Sequence, residues 1–489
     1  MIYTYLIHYS NEYRRQIVNR HAQEEPIAMD PWAHHELAGA SVVDQRHISA
    51  LVRLAECRTR EAEASYSEAC GSAVRQAARR ACRNQGTSVD GILQGHYQQT
   101  AARCAQYPLV LIAQDTMVAD YSTHRATRGL GPVNTRPDSL GLLVHSAMAM
   151  TPQRLPLGLL HLDIWARDPD TFGTSAERAD RPIEEKESHK WIRGLRAVAD
   201  RLPAQQEAVL IQDREADVAE FLATPRRARL HLLVRASQPR NVTLLDTDYG
   251  GPCNLMEAAA SAPVVAEMRV EIPRKPGHPK RQATLIVRAR RVNIHPPMRR
   301  RTSKMPRTLT LWLVDACELN APKGEDPIRW VLLTSMPINN GDDACRTVEF
   351  YACRWGIEQL HKVLKSGCRA ERLQIDDAHP LKNVLAVYYI VAWRLLWLTH
   401  LARTDPLTPA SVVLTDGEIQ VLEAATRRNV TTVSEAVTAL AILGGQEYYK
   451  KAPPPGPKRL WQGIRRLQAM TEGWQLAMQR LLYQDVNQD

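Results

Sequence analysis

Several features of other protein classes are missing from this 489-residue sequence. Its nine cysteines include no Cys-x-x-Cys pair, so the usual zinc motifs are absent. The cysteine number is odd and the chain is long, which favours reduced thiols in a cytosolic compartment over disulfides. The N-terminus lacks the basic-then-apolar order and the cleavage site of a signal peptide. We therefore expect a cytoplasmic protein.

Acidic residues are absent between residues 272 and 314, where twelve lysines and arginines occur. Two strand-like runs, "ATLIVRARRVNI" and "RTLTLWLV", alternate there with proline-rich loops. We interpret this stretch as a basic β element inserted into an α/β domain. The whole chain has 63 basic and 53 acidic residues, a net charge of +10, which favours a polyanionic partner.

One apolar run, residues 384–402, is long enough to cross a membrane. Arg394 interrupts it, and the preceding "DDAHPLKN" is not an anchoring pattern. We predict the buried helix of a large core, and no membrane partner.

Carboxylates follow two of the predicted buried strands. Asp115 ends "PLVLIAQD" and Asp213 ends "AVLIQD", and a buried strand end is a costly place for an unpaired charge. Glu358 lies on a later predicted helix. Three converging carboxylates suit Mg²⁺, and two such ions can stabilise both the attacking and the leaving oxygen of a phosphoryl transfer.

The segment "YACRWGIEQLHKVLK", residues 351–365, has an unusual polar pattern. On a continuous helix Tyr351, Arg354, Glu358 and Lys365 fall within an arc of about 60°. The apolar residues lie on the opposite face. The alternative is a solvated face containing the i,i+4 pair of Arg354 and Glu358.

The sequence resembles the DDE transposases of bacterial insertion sequences, specifically the insertion-sequence-four family that includes the Tn-five type. That family's signature, Tyr-x2-Arg-x3-Glu-x6-Lys, is matched at all four positions of residues 351–365. "QDREADV" matches its second-aspartate motif, and "LIAQDTMVADYSTH" resembles its first, with Met117 in place of the usual second threonine. The similarity runs from about Arg80 to about Thr399.

The resemblance implies the function and its residues. It implies a cut-and-paste transposase that binds the terminal inverted repeats of an insertion sequence, cleaves the ends and joins them to target DNA by two-metal-ion catalysis. The implied catalytic and metal-binding residues are Asp115, Asp213 and Glu358, with Mg²⁺ as cofactor and Mn²⁺ as a substitute. The implied DNA-binding residues are Tyr351, Arg354, Lys365, Trp330 and Arg235. The implied partners are double-stranded DNA and a second copy of the chain, in the bacterial nucleoid.

The implied fold class is α/β, an RNase H-like catalytic core with an inserted β subdomain and flanking helical domains. We expect a helical DNA-binding domain over 1–88, the catalytic domain over 89–403 with its insertion at about 245–322, and a helical dimerisation domain over 404–489. Residues 1–30 look like an extension. In the C-terminal domain Trp461, Trp474 and Leu481 are the candidate dimer contacts.

Some alternatives stay open at this level. Trp330 is also explained as a core residue, Arg235 as the partner of a structural carboxylate, and His145 as a core histidine. Glu215 and Asp217 of the second-aspartate motif are explained by positioning or capping. For the whole protein, the alternatives are a nuclease that cuts without joining and a domesticated DNA-binding protein or inhibitor.

Overall fold

The computed structural model describes residues 32–60, 70–134, 138–171, 181–246, 251–272, 281–296, 305–322, 324–447, 449 and 455–486. The expected N-terminal extension, residues 1–30, lies outside these ranges. So do residues 273–280 and 297–304 of the two basic loops.

In the described part of the chain, four helices precede the first strand, namely α1 (Trp32–Leu37), α2 (Gln45–Arg60), α3 (Ser72–Arg83) and α4 (Val89–Cys104). The buried carboxylate of Glu36 joins α1 to α4, because it contacts His96 Nδ1 at 2.5 Å and accepts from Arg103 Nη1 at 2.6 Å. On α3, Arg83 pairs with Asp376. Buried ion pairs thus hold the helical bundle together, and a surface ion pair joins it to a later segment of the chain.

The centre of the fold is a twelve-stranded sheet. Its strands are β1 (Leu109–Asp120), β2 (Gly131–Pro132), β3 (Leu140–Met150), β4 (Pro156–Trp165), β5 (Glu207–Gln212), β6 (Leu230–Arg235), β7 (Asn241–Leu244), β8 (Cys253–Asn254), β9 (Val264–Ile272), β10 (Arg281–Ile294), β11 (Leu309–Leu319) and β12 (Arg329–Thr334). The mixed α/β fold class is confirmed. The nine cysteines all lie in the described residues, and none of them is in a disulfide.

Strand order places the predicted carboxylates at the middle of this sheet. β1 is antiparallel to β3, which is antiparallel to β4, and on its other side β1 is parallel to β5. β5 is parallel to β6. The sheet continues through β12, β11 and β10, with β9 and β7 both paired to β10. Short helices α5 (His189–Arg201), α6 (Ala219–Leu222) and α7 (Leu255–Ala260) lie between strands.

The long apolar helix is α10 (Ala378–Thr404). It is the one helix in the described part of the chain long and apolar enough to cross a membrane. Within its most apolar stretch of 18 residues, 83% is buried inside the protein. That burial is the packing of a core helix. Arg394 is accommodated by donating to the Val413 carbonyl at 3.1 Å.

The signature segment is not one helix, and the prediction of a single polar ridge is wrong. α8 (Gly341–Ala352) ends at Ala352, α9 (Trp355–Lys362) begins after a turn, and a π-helical turn (Val363–Gly367) follows. Tyr351 is buried at 5% exposure rather than facing outwards. The predicted side-chain directions assumed a continuous helix that turns about 100° per residue. The helix is interrupted at Cys353 and Arg354, so that assumption does not hold.

The last three helices that the structure describes are α11 (Asp416–Thr426), α12 (Val433–Leu443) and α13 (Pro457–Val486). Trp461 was predicted on a dimer face, but its side chain is 3% exposed and its Nε1 donates to the Thr59 carbonyl of α2 at 2.9 Å. It therefore cannot form that contact. Trp474 is 40% exposed. The side chain of Leu481 lies outside the described residues.

Candidate active site

Asp115 lies in β1, close to the point where the pairing of β1 with β5 ends. Its Oδ1 accepts a hydrogen bond from the Thr116 amide at 2.9 Å, and its side chain is 19% exposed. In the antiparallel register it faces Ser146 of β3. Neighbouring strands therefore hold this carboxylate in a confined place.

Asp213 comes directly after β5. The last paired residues of the two parallel strands are Ala113 and Ile211, so Asp115 and Asp213 each lie two residues beyond the same pair. The Asp213 carboxylate accepts from the Glu215 amide at 2.9 Å. Because both strands run in the same direction, their carboxylates emerge at one edge.

Glu358 reaches this edge from α9. Arg354 Nη2 donates to Glu358 Oε1, and Arg354 Nη1 lies 3.9 Å from Asp115 Oδ2. The Arg354 side chain is 15% exposed. One partly buried guanidinium thus contacts carboxylates from the helix and from the sheet.

The electrostatics of Asp115 show how close these groups are. Burial raises its pKa to about 6, while the Thr116 amide and the Arg354 guanidinium act to lower it. The charges of Asp213 and Glu358 raise the pKa further. The three predicted carboxylates therefore share one electrostatic environment.

Tyr351, Trp330 and Arg235 form a second group beside the first. The rings of Trp330 and Tyr351 meet edge to face, with centroids 5.2 Å apart. Arg235 hydrogen-bonds to the Tyr351 side chain and donates to the Arg329 carbonyl at 3.2 Å. Burial raises the pKa of Tyr351, although the nearby Arg354 and Arg235 act to lower it. The hydroxyl is neutral and able to donate.

Lys365 lies apart from these residues. It sits on the π-helical turn, and its Nζ is 3.0 Å from Glu371 Oε1. The same Glu371 oxygen accepts from the Asp120 amide at 3.0 Å, at the far end of β1. The Lys365 side chain is 35% exposed, so its ammonium group is accessible from solvent at this end of β1.

Divalent-metal binding requires these carboxylates to converge. Among the residues that the structure describes, no three His, Cys, Asp or Glu side chains form a ready group for one ion. Asp115 and Glu358 are instead bridged by the Arg354 guanidinium. The positive charge of Arg354 therefore partly neutralises two of the three carboxylates. Carboxylate oxygens are the ligands that Mg²⁺ prefers.

Comparison with known proteins identifies the domain. Residues 187–391 match the family model of the transposase DDE domain. The chain carries a transposase DDE domain. It is accordingly a metal-dependent, DNA-cleaving transposase enzyme. The match includes Asp213 and Glu358 but begins after Asp115.

A solved structure is also similar to this transposase at low level. The cryo-EM structure of the piggyBac transposase synaptic complex with hairpin DNA aligns at 10% identity over 82% of this chain and 78% of that one, with a TM-score of 0.29. A TM-score this low does not show that the two proteins share a fold.

The other acidic residues of the transposase's second-aspartate motif have structural roles. Asp217 is fully buried and accepts from the amides of Ser237 and Gln238 at 2.7 and 2.8 Å. It also accepts from Arg240 Nε at 3.0 Å. Glu215 pairs with Lys190 at 3.3 Å. The motif thus joins one site aspartate to two residues that fix the surrounding loops.

Sequence reasoning missed two residues near the candidate carboxylates and Arg354. His361 is buried, with Nε2 3.0 Å from Ser146 Oγ and Nδ1 3.8 Å from Asp115 Oδ2. Burial, with Lys365 and Arg354, lowers the pKa of His361 to about 3, so its imidazole is neutral and supports Asp115 without adding charge. The signal was its position one helical turn after Glu358. The other, Trp355, is 59% exposed beside Arg354.

Proposed function

We propose that this transposase is of the insertion-sequence-four, Tn-five-like type and moves DNA by cut and paste. It binds the terminal inverted repeats, cleaves the ends and joins them to target DNA. The observation that carries the proposal is that Asp115 and Asp213 follow the same residue pair of adjacent parallel strands, while Arg354 contacts both Asp115 and Glu358. The four-position signature supports the family.

We propose that the core is RNase H-like. Three antiparallel strands (β1, β3 and β4) followed by two strands parallel to β1 (β5 and β6) support this, because this order puts both aspartates at adjacent strand ends. The proposed domains are 1–88, 89–403 and 404–489, with the insertion at 245–322. The described strands β9, β10 and β11 lie within the insertion and support it.

We propose Mg²⁺ as the cofactor, replaceable by Mn²⁺, held by Asp115, Asp213 and Glu358. When bound, two such ions polarise the scissile phosphate and stabilise the charge on the attacking and leaving oxygens. The residues of the chain do the rest. The Thr116 amide donates to Asp115, Arg354 balances the negative charge of Asp115 and Glu358, and the Glu215 amide donates to Asp213.

The proposed DNA contacts are aromatic and basic side chains beside the carboxylates. Trp330, held edge-on by Tyr351, offers a ring on which an unstacked base can pack. Arg235 and Arg354 offer guanidinium groups to phosphates. The exposed Trp355 extends this surface.

Lys365 is proposed as a phosphate contact, and Lys365→Ala tests it. The variant should bind end DNA more weakly, and the slope of log K against log salt should become shallower by about one unit, because one counterion-releasing contact is lost. Binding titrations over a salt series measure this. Lys382→Ala, a lysine on α10, is the charge-matched control. An unchanged slope for Lys365→Ala would make Lys365 a surface residue paired only with Glu371.

The transposase is proposed to act as a homodimer on paired DNA ends. Trp474 on α13 remains the candidate contact, since it is exposed whereas Trp461 is not. Truncation after about residue 445 is a poor test, because it also removes the packing of Trp461 on α2. Trp474→Ala is the smaller change, since it removes one 40% exposed ring that also lies beside Gly417 of α11 and leaves Trp461 in place.

Strand transfer is the experiment that tests the proposed function. The purified chain is mixed with Mg²⁺, a linear donor carrying the inverted repeats that flank its gene, and a supercoiled target plasmid. We expect donor 3′ ends covalently joined to the plasmid. Cleaved donor without joined product would instead identify a nuclease, and binding without cleavage would identify a domesticated DNA-binding protein.

A further inference from the structure

The π-helical turn after α9 connects Glu358 to Lys365. It spans Val363–Gly367 and is closed by the Cys368 amide, which donates to the Val363 carbonyl at 2.9 Å. Val363 and Leu364 are buried, whereas Lys365 projects outwards. Turns of this kind are rare and are frequently found at functional sites. Whatever holds this turn also determines where the Lys365 ammonium lies.

One support comes from the N-terminal helices. Arg58 of α2 is 2% exposed, and its Nη2 donates to the Cys368 carbonyl at 3.4 Å. Its guanidinium lies over the ring of Tyr388 of α10, 4.8 Å from the centroid. Burying an arginine is costly unless its charge is well satisfied. α2 therefore contacts the residue that directly follows the π-helical turn.

The other support comes from the C-terminal helices. The Trp461 ring of α13 packs on Gly367, so closely that a Cβ at position 367 would lie 2.7 Å from Trp461 Cζ3. Trp461 also donates to the Thr59 carbonyl, one residue from Arg58. α2 and α13 thus meet each other on the last residues of the turn.

We infer that Arg58 and Trp461 are positioning residues for the DNA contact of Lys365. Neither side chain is proposed to contact DNA. Both act by fixing the turn that carries Lys365. Segments about 300 and 100 residues away in sequence are therefore required for one phosphate contact beside the active site. The inference rests on the proposed function only in taking Lys365 as a phosphate ligand.

Gly367→Ala isolates this effect. The backbone at Gly367 is not left-handed, so alanine is tolerated by the chain itself, and only the Trp461 ring opposes the added methyl group. We expect Gly367→Ala to weaken binding to a duplex carrying the flanking inverted repeat. The salt slope should become shallower by about one unit, as for Lys365→Ala.

A double-mutant cycle separates positioning from general damage to the fold. If the turn acts through Lys365, Gly367→Ala should have no further effect on slope or affinity in the Lys365→Ala background. Arg58→Met should likewise have no further effect on slope or affinity in the Lys365→Ala background. Additive losses, or a normal slope for Gly367→Ala beside a reduced slope for Lys365→Ala, would overturn the inference. A normal slope for Lys365→Ala would instead overturn the proposed role of Lys365, so the two failures are distinguishable.

Discussion

Replacing Asp115 or Asp213 by asparagine, or Glu358 by glutamine, should reduce DNA cleavage in Mg²⁺ by at least about 10³-fold. Each carboxylate is a proposed metal ligand, and metal ions supply several kcal/mol of transition-state stabilisation. Binding of end DNA should persist, because affinity comes mainly from phosphate contacts. Single-turnover cleavage and a filter-binding titration on the same preparations measure the two effects.

Glu215→Gln is the matched control for these variants. Glu215 belongs to the same motif as Asp213, but its side chain is 66% exposed and pairs with Lys190. Its cleavage rate should stay within a few-fold of that of the unchanged chain. Cleavage at the normal rate by any of the three site variants would remove that residue from the proposed metal ligands.

Asp217→Ala should destabilise the protein by about 3–5 kcal/mol, because the substitution leaves the buried Arg240 guanidinium without its partner. The Asp217 side chain is 0% exposed and that of Arg240 is 4% exposed. The amides of Ser237 and Gln238 lose their acceptor as well. Urea unfolding followed by circular dichroism measures the loss.

Asp376→Ala is a suitable comparison. Asp376 pairs with Arg83 and Arg79 at the surface, where its side chain is 52% exposed. Its removal should leave the urea midpoint almost unchanged. If the Asp217 variant unfolds at the same urea concentration as this control, Asp217 is not the structural anchor described above.

The strands that carry Asp115 and Asp213 were predictable because their signals are local. Apolar runs that end in a carboxylate mark Asp115 and Asp213, and parallel pairing then brings the two strand ends together. The apolar face of the signature segment was also predicted correctly, since Ile357 and Leu360 are both fully buried. Each of these conclusions needed only a few consecutive residues.

The shape of the signature segment was not predictable from spacing. A helix count fixes angles only while the helix continues, and here α8 ends before Arg354. Tyr351, in the last turn of α8, is buried and meets Trp330. Trp461 shows the same difficulty at long range. Its burial depends on α2, about 400 residues earlier, and no local pattern encodes that contact.

The continuous sheet has a consequence for how this chain could change during evolution. β12 is hydrogen-bonded to β6 on one side and to β11 on the other, so the strands of the proposed insertion cover what would otherwise be an open edge. Loss of the insertion would uncover a row of unpaired amides and carbonyls, the kind of surface on which chains aggregate. Trp330 lies on that same strand. The insertion is therefore not a detachable accessory, and shortening it would endanger solubility before it altered recognition.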